Sequence, residues 1–245
     1  MDFDGRVSVV RASSAARARP RWGQHFLVNA GTVRKILDAL GAGEGETVVE
    51  IGPGRGALTV PLLDRGVRVL AFEIDPPLAA RLSADHSERT LFVETQDALR
   101  ADVRRPDLFS RLVVMIQREV ADRLVSPPGG DAYGYLTLDV GAHASARKLF
   151  DVGRGEFSPP PKVQSSVVEL VPFPVAAGAD SALKVASAGF TSRRKTLVNA
   201  LTPLWGRERA ASAVAEAGLP PTARAETLGL DVFRRLSLSL GPPVR

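Results

Sequence analysis

Residues 47–74 read TVVEIGPGRGALTVPLLDRGVRVLAFEI, and their order decides the fold. An apolar run from Thr47 to Ile51 stops at Gly52, Gly54 and Gly56. An amphipathic stretch opens at Ala57 and ends at Gly66, and a second apolar run follows to Ile74. The runs are continuous rather than alternating, which predicts strands buried on both faces in a parallel sheet. Glycines at a strand's end let backbone approach a ligand closely, and the helix that follows offers free N–H groups.

The same rhythm extends outward. Upstream, NAGTVRKILDALG puts Val33, Ile36, Leu37 and Leu40 at helical spacing before Gly41. Downstream, PPLAARLSAD reads as a helix, LFVET and LVVMIQ as strands, and REVADRLVS as a helix. YGYLTLDVGAHA is helix or strand, and VVELVPF reads as an edge strand. Residues 172–180 read as a linker, after which SALKVASAGFTSRRKTLVNAL, ERAASAVAEAG and AETLGLDVFRRLSLSL are helical. The expected architecture is α/β, a mostly parallel sheet over residues 21–173 with a small α-helical domain over 180–245. The Ala/Ser/Arg-rich residues 1–20 read as a disordered basic tail.

Composition excludes several classes. With no cysteine among 245 residues there is no disulfide, zinc–thiolate site or cysteine nucleophile. His25, His86 and His143 lack metal-ligand spacing, so no metal is expected. No apolar run reaches a membrane span. A cytoplasmic monomer is expected. The net charge of +5, clustered at Arg11, Arg17, Arg19 and Arg21 and at Arg193, Arg194 and Lys195, suits a polyanionic partner.

The glycine pattern also satisfies that of dinucleotide enzymes. Three acids refine it. Glu50 sits within the first strand's end, where a carboxylate can face a cationic amino-acid group. Glu73 ends the next strand, placed for ribose hydroxyls. Asp97 lies just past the third strand, placed to accept from an adenine amino group. Together they favour S-adenosylmethionine over NAD. A nicotinamide oxidoreductase stays permitted by spacing, though no hydride-transfer acid is evident in a second domain.

The ordered set RWGQHFL (21–27), VVEIGPGRGALT (48–59), AFEID (71–75), QDAL (96–99), MIQREVADRL (115–124), FSPPPKVQSSVV (157–168) and SRRKTLVNAL (192–201) resembles the ribosomal RNA adenine dimethyltransferases. Small-subunit enzymes are the nearer match and the erythromycin-resistance methylases cousins. The resemblance implies a Rossmann-like methyltransferase sheet with a C-terminal rRNA-binding helical domain. It also implies dimethylation of N6 on two adjacent adenines near the 3′ end of small-subunit (16S) rRNA during 30S maturation. It places His25, Leu27, Gly52, Glu73 and Asp97 at the cofactor and Phe157 against the target base; Gly54, Gly56 and Ala98 beside them are further candidate cofactor contacts. His25 stands where the family often has Asn.

One part of the pattern is missing. In LFVETQDALRADVRRPDLFSRLVVMIQREV (91–120), the fifteen residues Asp97–Arg111 leave room for one helix and no strand. The family's fourth strand, ending in Asn-Leu-Pro-Tyr, belongs here. Adenine N6 is a weak nucleophile whose amino group needs acceptors as charge develops, and an aromatic ring to stack on the base. Asn occurs only at positions 29 and 199. The expectation is that the fifth strand moves beside the first or the sheet has a hole. The chain should then bind cofactor poorly and methylate little, remaining an rRNA-binding assembly factor. The alternatives are a segment missing from this chain but present in its gene, or an acceptor supplied elsewhere. Lys162 is read as a phosphate contact or a solvated lysine. Arg193, Arg194 and Lys195 have no helix-dipole reason to cluster at a helix start, which an RNA backbone would explain.

Overall fold

The computed structural model describes residues 7–11, 24–100, 108–192 and 195–243, with backbone alone at 7–11. The chain divides into two compact units, residues 1–121 with 146–173 and residues 122–145 with 174–245. Asp122–Ser145, which the sequence assigned to the first domain, therefore belongs with the helices of the second.

In the first unit the elements run β1 (Val7–Arg11), β2 (Phe26–Leu27), α1 (Ala30–Leu40), β3 (Thr47–Ile51), α2 (Thr59–Asp64), β4 (Arg68–Glu73), α3 (Pro76–Asp85), β5 (Leu91–Thr95) and β6 (Phe109–Gln117). Helix α4 (Arg118–Leu124) carries the chain into the second unit, where α5 (Tyr135–Gly141) follows. The chain returns through β7 (Ala144–Val152), β8 (Phe157–Ser158) and β9 (Ser165–Pro172). The seven-stranded sheet has the order β5-β4-β3-β1-β6-β9-β7.

Two expectations are corrected here. The sheet has no hole between β3 and β6. Val7–Arg11, read as disordered tail, pairs in parallel with both, Val9 standing opposite Val49 and Leu112 and Arg11 opposite Ile51 and Val114. A short Val-rich run inside an Arg/Ala/Ser-rich stretch has too little pattern to announce a strand, and only two waiting strand edges make it one. β9 is not an edge strand either. It runs antiparallel to β6, Val114 opposite Val168, and the edge is β7, whose charged sequence hides it. Glu169 on β9 is clasped by Arg147 at 2.9 Å and Arg111 at 3.4 Å.

Helix α1 forms where its spacing places it. Asn29 Oδ1 accepts from Thr32 N at 3.0 Å, and Gly41 at φ 66° closes the end with its N–H on Leu37 O. Its buried Ile36, Leu37 and Leu40 pack with Leu58, Leu62 and Val69 on one sheet face. Between β5 and β6 the described residues hold only a 3₁₀ turn, Ala98–Arg100.

The second unit packs α6 (Ala179–Phe190), α7 (Leu197–Trp205), α8 (Arg207–Glu216) and α9 (Leu230–Leu240) with α5 around Leu201, Phe233 and Leu236. Alanines and Gly189 on α6 allow close approach; a Cβ at Gly189 would lie 3.1 Å from Ala225 Cβ. The buried Tyr133 hydroxyl donates to Leu228 O at 2.7 Å. No helix among the described residues is long and apolar enough to cross a membrane. Replacing Tyr133 by Phe strands the Leu228 carbonyl, and urea denaturation of this unit should show a loss of about 1–3 kcal/mol.

Candidate functional site

The glycine loop leaves the sheet at Gly52, whose N–H donates to Phe72 O at 2.8 Å. It then turns through Gly54 and Gly56 at positive φ, 57° and 81°. At Gly56 an added Cβ would lie 2.9 Å from Leu82 Cδ1 and 3.3 Å from Val60 Cγ2, so conformation and space both require glycine. Helix α2 begins at Thr59, not at Ala57 as expected, because residues 54–58 are still turn.

Glu50 lies near the C-terminal end of β3, Glu73 ends β4 and Asp97 lies just past β5, three adjacent parallel strands. The register sets Glu50 opposite Ala71 and Glu73 opposite Thr95, and Asp97 comes two residues after β5 ends. Glu50 is 0% exposed. Thr59 Oγ1 donates to its Oε2 at 2.7 Å, while its Oε1 has no hydrogen-bond partner among the described residues. Burial pushes this carboxyl up to about 7, Thr59 pulls the other way, and the charge of Glu73 adds to the rise. An orphaned, buried carboxylate oxygen beside bare backbone fits the cationic amino group of S-adenosylmethionine.

Glu73, read from the sequence as a ribose contact, is 3% exposed and has a structural part in the loop. Its Oε2 accepts from Gly54 N and its Oε1 from Asp75 N, both at 3.0 Å, so it also holds the loop. Each oxygen keeps a lone pair for a hydroxyl. Asp97 is half-buried where the 3₁₀ turn starts, and Ala98 packs against Val49, Phe72 and Phe109.

The segment Gln24–Val28 is brought to this edge by pairing. Leu27 stands opposite Phe157 and Phe26 opposite Ser158, and Val28 N donates to Glu156 O at 2.8 Å. Gln24 Nε2 donates to Asp75 Oδ2 at 3.4 Å. His25 Nδ1 lies 2.9 Å from Pro159 O, and the Arg55 guanidinium lies 5.6 Å from the Phe26 ring centroid. Arg154 Nε holds the proline turn through Pro161 O at 2.7 Å. Thr59, Gln24, Arg55 and Asp75 were not singled out from sequence. Their partners lie up to 51 residues away, and only the Thr59 hydroxyl closing the loop motif carried a local signal.

The aromatic role assigned to Phe157 is not met. Pairing with Leu27 turns the ring inward, 6% exposed, into the core with Ile36 and Val152, so it has no face free for a base. Leu27 is likewise a core side chain, 2% exposed, which leaves its backbone for any ligand contact. Lys162 and Lys195 are exposed, in different units. Arg193 and Arg194 lie outside the described residues. Among the described residues no His/Asp/Glu group is arranged to hold a metal.

Two measurements probe this geometry. Between pH 4.5 and 7 the folded protein keeps Glu50 protonated while the unfolded chain ionises it, so stability falls by about 3 kcal/mol across that window and levels above it. Glu50→Gln should remove this slope in denaturant titrations at pH 5 and pH 8. Gly56→Ala should strain the loop and weaken S-adenosylmethionine binding at least tenfold in calorimetry, the helical unit melting unchanged.

Comparison with known proteins agrees with the geometry. A family pattern described as Ribosomal RNA adenine dimethylase matches residues 15–108 and 105–237, two stretches that meet where the fourth strand was missed. The chain is 38% identical to the Ribosomal RNA small subunit methyltransferase A of Bordetella bronchiseptica, covering 94% of this chain and 98% of the relative. It is also 38% identical to that of Pseudomonas aeruginosa, covering 91% and 95%. In the Bordetella alignment, 263 positions drawn on 94% of 245 residues leave roughly thirty at which only the relative has a residue. A dimethyladenosine transferase structure from Plasmodium falciparum superposes with a TM-score of 0.76 at 23% identity, over 89% of this chain and 99% of that one. The 23S rRNA methyltransferase ErmE superposes with a TM-score of 0.65 at 24% identity, over 88% and 99%. The sheet is thus the Rossmann-like methyltransferase sheet and S-adenosylmethionine its cofactor, and NAD is set aside. From its glycine loop to its helical second unit, the chain belongs to the ribosomal RNA adenine dimethylase family.

Proposed function

We propose that the chain dimethylates N6 of two adjacent adenosines near the 3′ end of small-subunit rRNA during 30S maturation, as a cytoplasmic monomer. What supports the reading is the row of three carboxylates at successive strand ends around a glycine loop in which Gly56 has no room for a Cβ. Glu50 meets the methionine ammonium, Glu73 the ribose and Asp97 the adenine. Transfer from a sulfonium needs mainly positioning, since the leaving group already carries the driving charge. Lys162, Arg193, Arg194 and Lys195 are the proposed phosphate contacts.

A second reading rests on one observation. The strand between β3 and β6 ends in Arg11, and the chain has no Asn-Leu-Pro-Tyr. The motif's acceptor for the adenine amino group is then missing. On this reading the chain keeps cofactor and rRNA and transfers little, acting in assembly.

Incubation of under-methylated 30S particles with tritiated S-adenosylmethionine separates the two. Label in N6,N6-dimethyladenosine sustains the first reading, and particle binding without label selects the second. Absence of both overturns the proposal. Asp97→Ala should raise the cofactor dissociation constant about tenfold, the worth of one hydrogen bond to a charged group. Lys195→Ala should lower the salt slope of particle binding by about one.

A further inference from the structure

The two strands flanking β1 are remote from it in sequence. Residues 12–46 separate it from β3, and β6 begins at Phe109. β1 nonetheless pairs with both along its whole length. Its neighbours are buried where it lies, Val48 and Val113 within 1% of complete burial. Remove β1 and two strands that lay about 10 Å apart face each other across one empty strand width, too far for hydrogen bonds. Their inward N–H and C=O groups would be unmet in the interior, which native structures avoid.

We propose that the gap between β3 and β6 is a strand-binding slot and that Val7–Arg11 is a separable strand that fills it. Parallel pairing on two edges supplies the affinity, and closing the long connection adds only a slowly growing entropic cost. The slot lies against the cofactor loop. Val10 stands opposite Glu50 and Arg11 opposite Ile51, directly before Gly52. Seating the strand therefore sets the position of the β3 tip, and strand and cofactor strengthen each other's binding reciprocally. This coupling, unlike the slot itself, rests on the proposed cofactor role of Glu50.

Two full-length proteins test the slot. Val9→Pro removes an N–H from the middle of the strand. Native-state hydrogen exchange without cofactor should then show the Val48–Ile51 and Val113–Val114 amides losing protection by a hundredfold or more, while α6 and α9 keep theirs. Unchanged protection overturns the proposal. Should this variant not fold, a protein with a protease site engineered within residues 12–23 and nicked after folding replaces it. A synthetic peptide of residues 1–14 should exchange into the nicked protein at one per chain and restore protection, and a scrambled peptide should not. Loss of the fragment with protection intact overturns the slot. Calorimetry with S-adenosylmethionine then reads the coupling: a slot shown by exchange with unaltered cofactor affinity refutes the coupling alone.

Discussion

A parallel strand with neighbours on both sides keeps its place only while both rows of its backbone N–H and C=O groups are met. β3 is such a strand. It carries Glu50 and launches the glycine loop, so the site inherits its geometry from two ladders, one to β4 and one to β1. The ladder to β4 comes from the adjoining βαβ unit. The ladder to β1 comes from a segment far upstream, and without it β3 would have an open edge at the foot of the crevice.

The loop repeats this dependence on a smaller scale. It crosses the sheet edge in a glycine-rich turn, and a carboxylate from the next strand, Glu73, takes up the amide proton of Gly54 in the loop and that of Asp75 beyond its own strand. Glu50, on β3, has one oxygen held by Thr59 and the other without a partner among the described residues. Two buried acids in one neighbourhood raise the cost of ionising Glu50, and a bound cation relieves it. The loop is thus destabilised at Glu50 in the absence of a cation, while Phe26–Leu27 and Phe157–Ser158 form a separate hydrogen-bonded ribbon.

Membership of the family and the gap in its pattern meet at this point. Relatives have roughly thirty positions that this chain lacks. The sheet nevertheless keeps its full strand order, because a strand slot selects for backbone length and apolar character rather than for identity. What β1 does not restore is the Asn-Leu-Pro-Tyr motif, which the chain lacks.

The sequence by itself determined the βαβ core, the loop and its three acids, helix α1 with its Gly41 stop, and the helical second unit. These are written in local periodicity, glycine placement and short-range capping, which do not depend on what packs nearby. Tertiary structure alone decided that Val7–Arg11 is a strand and that β9 is internal. It alone decided that Asp122–Ser145 joins the helices and that Phe157 faces the core. In each case the deciding partner lies far along the chain: two open strand edges for Val7–Arg11, β6 and β7 for β9, and Leu27 for Phe157. Five residues in a basic stretch carry too weak a preference to reveal such partners, whereas unmet backbone hydrogen bonds in a buried slot are costly enough to impose them.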